Sequence, residues 1–60
     1  MSNFNEMELN SIRECVLAHI TISSKLLSYS NKVTDENLKQ MFKNASTQAE
    51  QAANKLTQML

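Results

Sequence analysis

The sequence contains neither glycine nor proline, where ordinary usage would put about seven such residues in a chain of this length. Without glycine there is no phosphate-cradling loop and no dinucleotide fingerprint, because both need the backbone to approach a phosphate where a Cβ would intrude. Without either helix breaker, nothing interrupts long helices. There is one cysteine, Cys15, so no internal disulfide forms. No Cys/His cluster has the spacing of a structural zinc site. Charge of one sign is missing too: six Lys and Arg offset six Asp and Glu, and the pI is near 6.5. That excludes the basic field of non-specific nucleic-acid binding and the lysine-rich face of a membrane-surface helix. No apolar run approaches the roughly 20 residues of a membrane span. Residues 1–6 have neither the basic nor the apolar region of a signal peptide. One cysteine and no export signal point to a chain that is cytoplasmic in origin. On that reading Asn44-Ala45-Ser46 is a chance glycosylation sequon.

Sixty residues make one domain at most. A chain this short buries only about 60% of the surface its unfolded form exposes. Small folds are usually held by disulfides, a metal or a partner chain. With the first two set aside, oligomerisation is the expected staple.

What is present is Leu, Ala, Lys, Gln, Glu, Met, Asn and Ser, a composition that reads as nearly all helix. The expected architecture is all-α: residues 1–60 as a single antiparallel two-helix hairpin, pairing as a homodimeric four-helix bundle. The first helix spans about residues 6–32, with the polar residues before it frayed. Its start falls anywhere between Asn5 and Asn10; Asn5 is one candidate N-cap, which would put Glu6 and Glu8 in the first turn, where the helix dipole favours acids. At about 100° per residue, Leu9, Ile12, Val16, Ile20 and Leu27 gather on one side. Cys15, Ala18, Ile22, Leu26 and Tyr29 extend that surface around a second. Together they cover roughly 200° of the helix, twice the stripe that one partner requires. One of the two sides is therefore an expected association surface.

A turn is expected at about residues 33–35. Asn31 is the expected left-handed C-cap, there being no glycine for it. Thr34 is the expected N-cap of the second helix, with Val33 and Leu38 as a hydrophobic staple. So short a connection forces antiparallel neighbours. The second helix runs from about residue 35 to 60. Leu38, Met41, Phe42, Ala45, Ala49, Ala52, Ala53, Leu56, Met59 and Leu60 fall within about 120°, a single stripe. Its alanine-lined middle is expected to let the helices approach closely, under knobs from Ile22, Leu26 and Leu27. The chain ends without a capping residue, so its last turn either frays or belongs to a longer helix.

No catalytic constellation stands out, and no cofactor is implied. His19 sits on the apolar arc of the first helix. As a metal ligand it has only Cys15 nearby, one turn back, and two ligands need a symmetric dimer to supply the rest. The simpler reading is a hydrogen-bonded histidine at the bundle interface. Glu50 resembles the carboxylate of a di-iron bundle, but such sites need Glu-x-x-His, and Glu50-Gln51-Ala52-Ala53 has alanine in the histidine slot. Glu50 reads as an exposed surface residue. Cys15 on the apolar side reads as a small hydrophobe rather than a reactive thiol. Ser23, Ser24, Ser28 and Ser30 read as helix-surface and interface residues. The expected oligomer interface is Ile12, Cys15, Val16, His19, Ile22, Leu26 and Tyr29.

Residues 25–44 read KLLSYSNKVTDENLKQMFKN and residues 48–60 read QAEQAANKLTQML. This stretch resembles the short ferritin-like spore coat protein family (coat F type) of endospore-forming Firmicutes, and also related small helical sporulation proteins. In the coat family a Tyr-rich first helix leads to a polar turn. Leu-Lys-x-Leu-Phe then opens the second helix, and Glu-Gln-x-His lies near its middle. Tyr29, Leu38, Lys39, Phe42, Glu50 and Gln51 match. Ala53 stands in place of the histidine, so a metal role tied to that histidine does not carry over. The resemblance implies a spore-forming bacterium, other spore proteins as partners and the spore or spore coat as a location.

Three functions follow in order of preference. The first is a non-enzymatic, self-associating helical structural or interaction protein connected with sporulation. The second is a degenerate ferritin-like metal-binding protein using His19, Cys15 and Glu50 across a dimer. The third is an RNA-binding helical-hairpin dimer. Lys25, Lys32, Lys39 and Lys43 lie outward for it, but Glu14, Glu36 and Glu50 dilute them. The association itself is assigned to the second face of the first helix.

Overall fold

The computed structural model describes residues 3–60. Met1 and Ser2 lie outside the described residues, so the expected fraying of the N-terminus is addressed only from Asn3 onward; Asn3, Phe4 and Asn5 are non-helical. Two helices follow, α1 (Glu6–Ser30) and α2 (Glu36–Gln58), with no other element between them. They pack side by side as a hairpin. Its extents are 46 × 14 × 9 Å. The radius of gyration is 14.2 Å, against about 10 Å for a compact domain of this length. The hairpin is a rod two helices wide, and its interior is a line rather than a volume.

α1 starts where its side chains can satisfy its own first turn. The Glu8 amide donates to Asn5 Oδ1 at 2.8 Å, and the Asn5 amide donates to Glu8 Oε1 at 3.0 Å. This reciprocal pair is a capping box. Glu6 and Glu8 both lie in the first turn, where acids face the positive end of the helix dipole.

The turn differs from the sequence expectation in two ways. Asn31 caps α1 in a right-handed conformation, φ −80° and ψ −12°, rather than a left-handed one. No described residue has positive φ. The helix instead tightens at its end: the Asn31 amide donates to the carbonyls of Leu27 and Ser28, and that of Lys32 to Tyr29. These shorter bonds satisfy trailing carbonyls without left-handed backbone, so a chain without glycine still closes its helix. The N-cap of α2 is Asp35, not Thr34; Asp35 Oδ1 accepts the Leu38 amide at 2.7 Å. A carboxylate there also meets the helix dipole. The shift by one residue makes Thr34 and Lys39, not Val33 and Leu38, the two positions of a staple. α2 ends at Gln58, with Met59 as its cap.

Along α1, Leu9, Ile12, Val16, His19, Ser23, Leu26 and Ser30 are the residues withdrawn from solvent. Their spacing alternates three and four, the heptad seam of a two-helix coiled coil. On α2 the corresponding line is Lys39, Phe42, Ser46, Ala49, Ala53 and Leu56, with Ala45 and Ala52 half-buried beside it. At the centre Ser46 Oγ donates to the backbone oxygen of Ser23 at 2.8 Å, and the two hydroxyls lie 3.2 Å apart. Towards the turn, the Tyr29 and Phe42 rings sit 5.7 Å apart, tilted at 53°. These two pairs fix the antiparallel register.

Candidate functional site

The seam is narrow, and its composition explains why. Among the described residues Ala53 is the one buried apolar residue, while Ser23, Ser30 and Ser46 are buried and polar. A serine reaches a backbone carbonyl across the interface only if the two helices come close, and small residues permit that approach. Each buried hydroxyl has a partner: Ser30 Oγ donates to the Leu27 carbonyl at 2.6 Å. Ser46 spends its one proton on the Ser23 carbonyl, so in the hydroxyl pair Ser23 is the donor. The expected layer of bulky knobs over alanines is therefore absent at the centre. Ile22 and Leu27 are 43% and 49% exposed, and Leu26 alone of the three is half-buried.

The second consequence is apolar surface left uncovered on both helices. On α1, Ile20, Ile22, Leu27 and Tyr29 lie on either side of the seam, and Leu17, at 66% exposure, lies farther round. On α2 the apolar stripe is not centred on the seam. The buried line is rotated by about 50° at 100° per residue towards Ser46. That leaves Met41 and Met59 exposed along the far edge, while Leu38 is exposed at the start of α2 and Leu60 just past its end. The stripe that was expected to close the hairpin alone thus also faces solvent along one edge.

Of the expected interface residues, Ile12, Val16, His19 and Leu26 lie in the seam, half-buried between α1 and α2. Cys15 and Ile22 lie outside it and are exposed, and Tyr29, though exposed, packs its ring on Phe42 of α2. The expected surface is thereby divided: its first set holds the hairpin together, and its second flanks the hairpin. Among the serines, Ser24 and Ser28 are exposed as expected for a helix surface, while Ser23 and Ser30 belong to the seam.

His19 bonds within its own helix. Its Nδ1 lies 2.7 Å from the Cys15 carbonyl oxygen. A carbonyl only accepts, so Nδ1 carries the proton in this bond. Glu50 is exposed on α2. Among the described residues no group of three or more His, Cys, Asp or Glu is placed to hold a metal ion, so Cys15, His19 and Glu50 do not form a site within one chain. No described helix is long and apolar enough to cross a membrane.

Two of the depressions formed by the described residues bear on the site. One, of ≈ 310 Å³, lies at the open end of the hairpin between Phe4, Met7, Ser11, Ile12 and Met59. The other, of ≈ 450 Å³, runs along α1 alone, lined by Glu14, Leu17, Ala18, Thr21, Ile22 and Lys25. No residue of α2 reaches this second groove.

No protein-family model, curated protein or solved structure matches the chain. The likeness to coat F proteins accordingly stands on the residues quoted for it.

Proposed function

We propose that this chain is a non-enzymatic, self-associating helical module that works as a homodimer. The observation that carries this is the surface. The chain exposes 4756 Å², against roughly 4,000 Å² for a compact monomer of its mass. The excess of about 750 Å² is close to the share, about 800 Å², that each partner contributes to a standard protein interface. Much of it is apolar, since ten large hydrophobic side chains are exposed while Ala53 alone is buried. A patch of that kind on a small protein is an association surface.

The proposed setting is sporulation, with other spore proteins as further partners. Its support is the coat F likeness of Tyr29, Leu38, Lys39, Phe42, Glu50 and Gln51. Two of these, Tyr29 and Phe42, pack ring against ring, so the motif's aromatics form one structural unit beside the turn.

Light scattering with helicity followed on dilution tests the association. The expected result is a dimer at micromolar concentration whose helicity falls as it dissociates. A monomer that keeps its full helicity on dilution overturns the proposal.

A further inference from the structure

The ≈ 450 Å³ groove on α1 carries opposite charges at its two ends. From its N-terminal end it presents Glu14, Leu17, Ala18, Thr21, Ile22 and Lys25. An acid opens it and a base closes it. A large aliphatic residue lies inside each charge, and two small residues occupy the middle. Consider two antiparallel α1 helices laid groove to groove, related by a two-fold axis that runs between them level with the midpoint of Ala18 and Thr21. Glu14 of each copy then meets Lys25 of the other, Leu17 meets Thr21, and Ala18 meets Ile22. An isologous contact requires this reciprocity, in which one residue meets a second and the second meets the first.

We propose that this groove is where a second copy of the chain docks, with the two α1 helices antiparallel and Glu14 of each facing Lys25 of the other. The proposal rests on the homodimer reading and specifies its face and register: the groove lies on the side of α1 away from α2, so the four helices stand side by side rather than in a closed bundle. Charge decides the direction. A parallel pairing in register sets Glu14 against Glu14 and Lys25 against Lys25, and like charges in contact oppose it. The antiparallel pairing replaces both repulsions with attractions. Small Ala18 and Thr21 at the centre let the helices approach, and Leu17 and Ile22, at 66% and 43% exposure, supply the apolar contact. Cys15 and Tyr29 border the same surface. The Ile20 and Leu27 flank has no comparable order of charges.

Charge reversal in trans tests it. Glu14 and Lys25 are both exposed, so reversing either leaves the seam of the hairpin untouched, and helicity at high concentration checks that the fold persists. Glu14→Lys alone and Lys25→Glu alone are each expected to weaken the dimer roughly tenfold, as two symmetric contacts turn from attractive to repulsive. Mixing the two variant chains is expected to restore association, as a heterodimer in which each charge again faces its opposite. The doubly reversed chain is expected to pair with itself within about threefold of the original. A wild-type dimer that is indifferent to both single reversals, or variants that fail to recover on mixing, overturns the groove and its register while self-association stands. A wild-type chain that is monomeric overturns both.

Discussion

Ser46 Oγ lies 2.8 Å from the backbone oxygen of Ser23 on the opposite helix, a side chain on one helix bonded to the main chain of the other. This contact limits how far α1 and α2 can separate at their midpoint. Removing either hydroxyl is expected to cost about 1 kcal/mol, the usual net value of a buried hydrogen bond. Ser23→Ala and Ser46→Ala together are expected to cost less than their sum, because the double variant leaves no hydroxyl without its partner. Urea unfolding of the four members of this cycle at one protein concentration measures the coupling. A strictly additive double variant would show that the hydroxyl pair contributes nothing as a pair.

The identity of the α2 cap is testable at two adjacent positions. Asp35→Ala is expected to lose about 1 kcal/mol, since it removes the acceptor of the Leu38 amide, whereas Thr34→Ala is expected to stay within about 0.5 kcal/mol of wild type. Asp35→Asn keeps an acceptor and is expected to fall near wild type. Thermal unfolding of the three variants ranks them, and a larger loss at Thr34 than at Asp35 would place the cap one residue earlier.

The hairpin was legible because two long helical stretches were separated by Val33, Thr34 and Asp35; the start of α1 was legible only to within Asn5 to Asn10, although Glu8, three residues after Asn5, is the capping-box signal. The seam was not legible. Ranking positions by apolarity grouped Ile20 and Leu27 with Leu9, Ile12 and Val16, read Ser23 and Ser30 only as helix-surface and interface residues, and gave Ser46 no place. Close helix packing selects by size as well as by polarity, and serine meets that demand when its hydroxyl can reach a carbonyl. The signal was there as spacing: 9, 12, 16, 19, 23, 26 and 30 form an unbroken three-four alternation once serine is admitted to the core. Asn31 was misread for a related reason. A left-handed cap is one way to satisfy trailing carbonyls, and a final turn tightened by shorter bonds is another that needs no glycine.

A seam of small residues tolerates additions poorly. Ala53 is 3% exposed, and Ala53→Leu is expected to destabilise the hairpin by about 1–3 kcal/mol through overpacking. Met41, at 67% exposure on the same helix, provides the contrast: Met41→Leu is expected to change the chain's stability by no more than about 0.5 kcal/mol. Chemical denaturation compares the two, and a neutral Ala53→Leu would mean that the helices sit farther apart than the serine bonds require.

Tyr29 and Phe42 tie the two helices together beside the turn, with ring centroids 5.7 Å apart and planes tilted at 53°. That arrangement brings the positive edge of one ring towards the negative face of the other, worth about 0.5–1.5 kcal/mol beyond the area it covers. Tyr29→Phe keeps both rings and is expected to leave stability near wild type. Tyr29→Leu and Phe42→Leu each retain apolar bulk but remove the aromatic pairing, so the second of these changes is expected to cost less once the first is present. A double-mutant cycle isolates the coupling from the loss of area. On the homodimer proposal each member also associates, so all four unfolding curves must be taken at one chain concentration. A coupling indistinguishable from zero would mean that the rings add only bulk at this end of the hairpin, leaving the Ser23–Ser46 bond to hold the register.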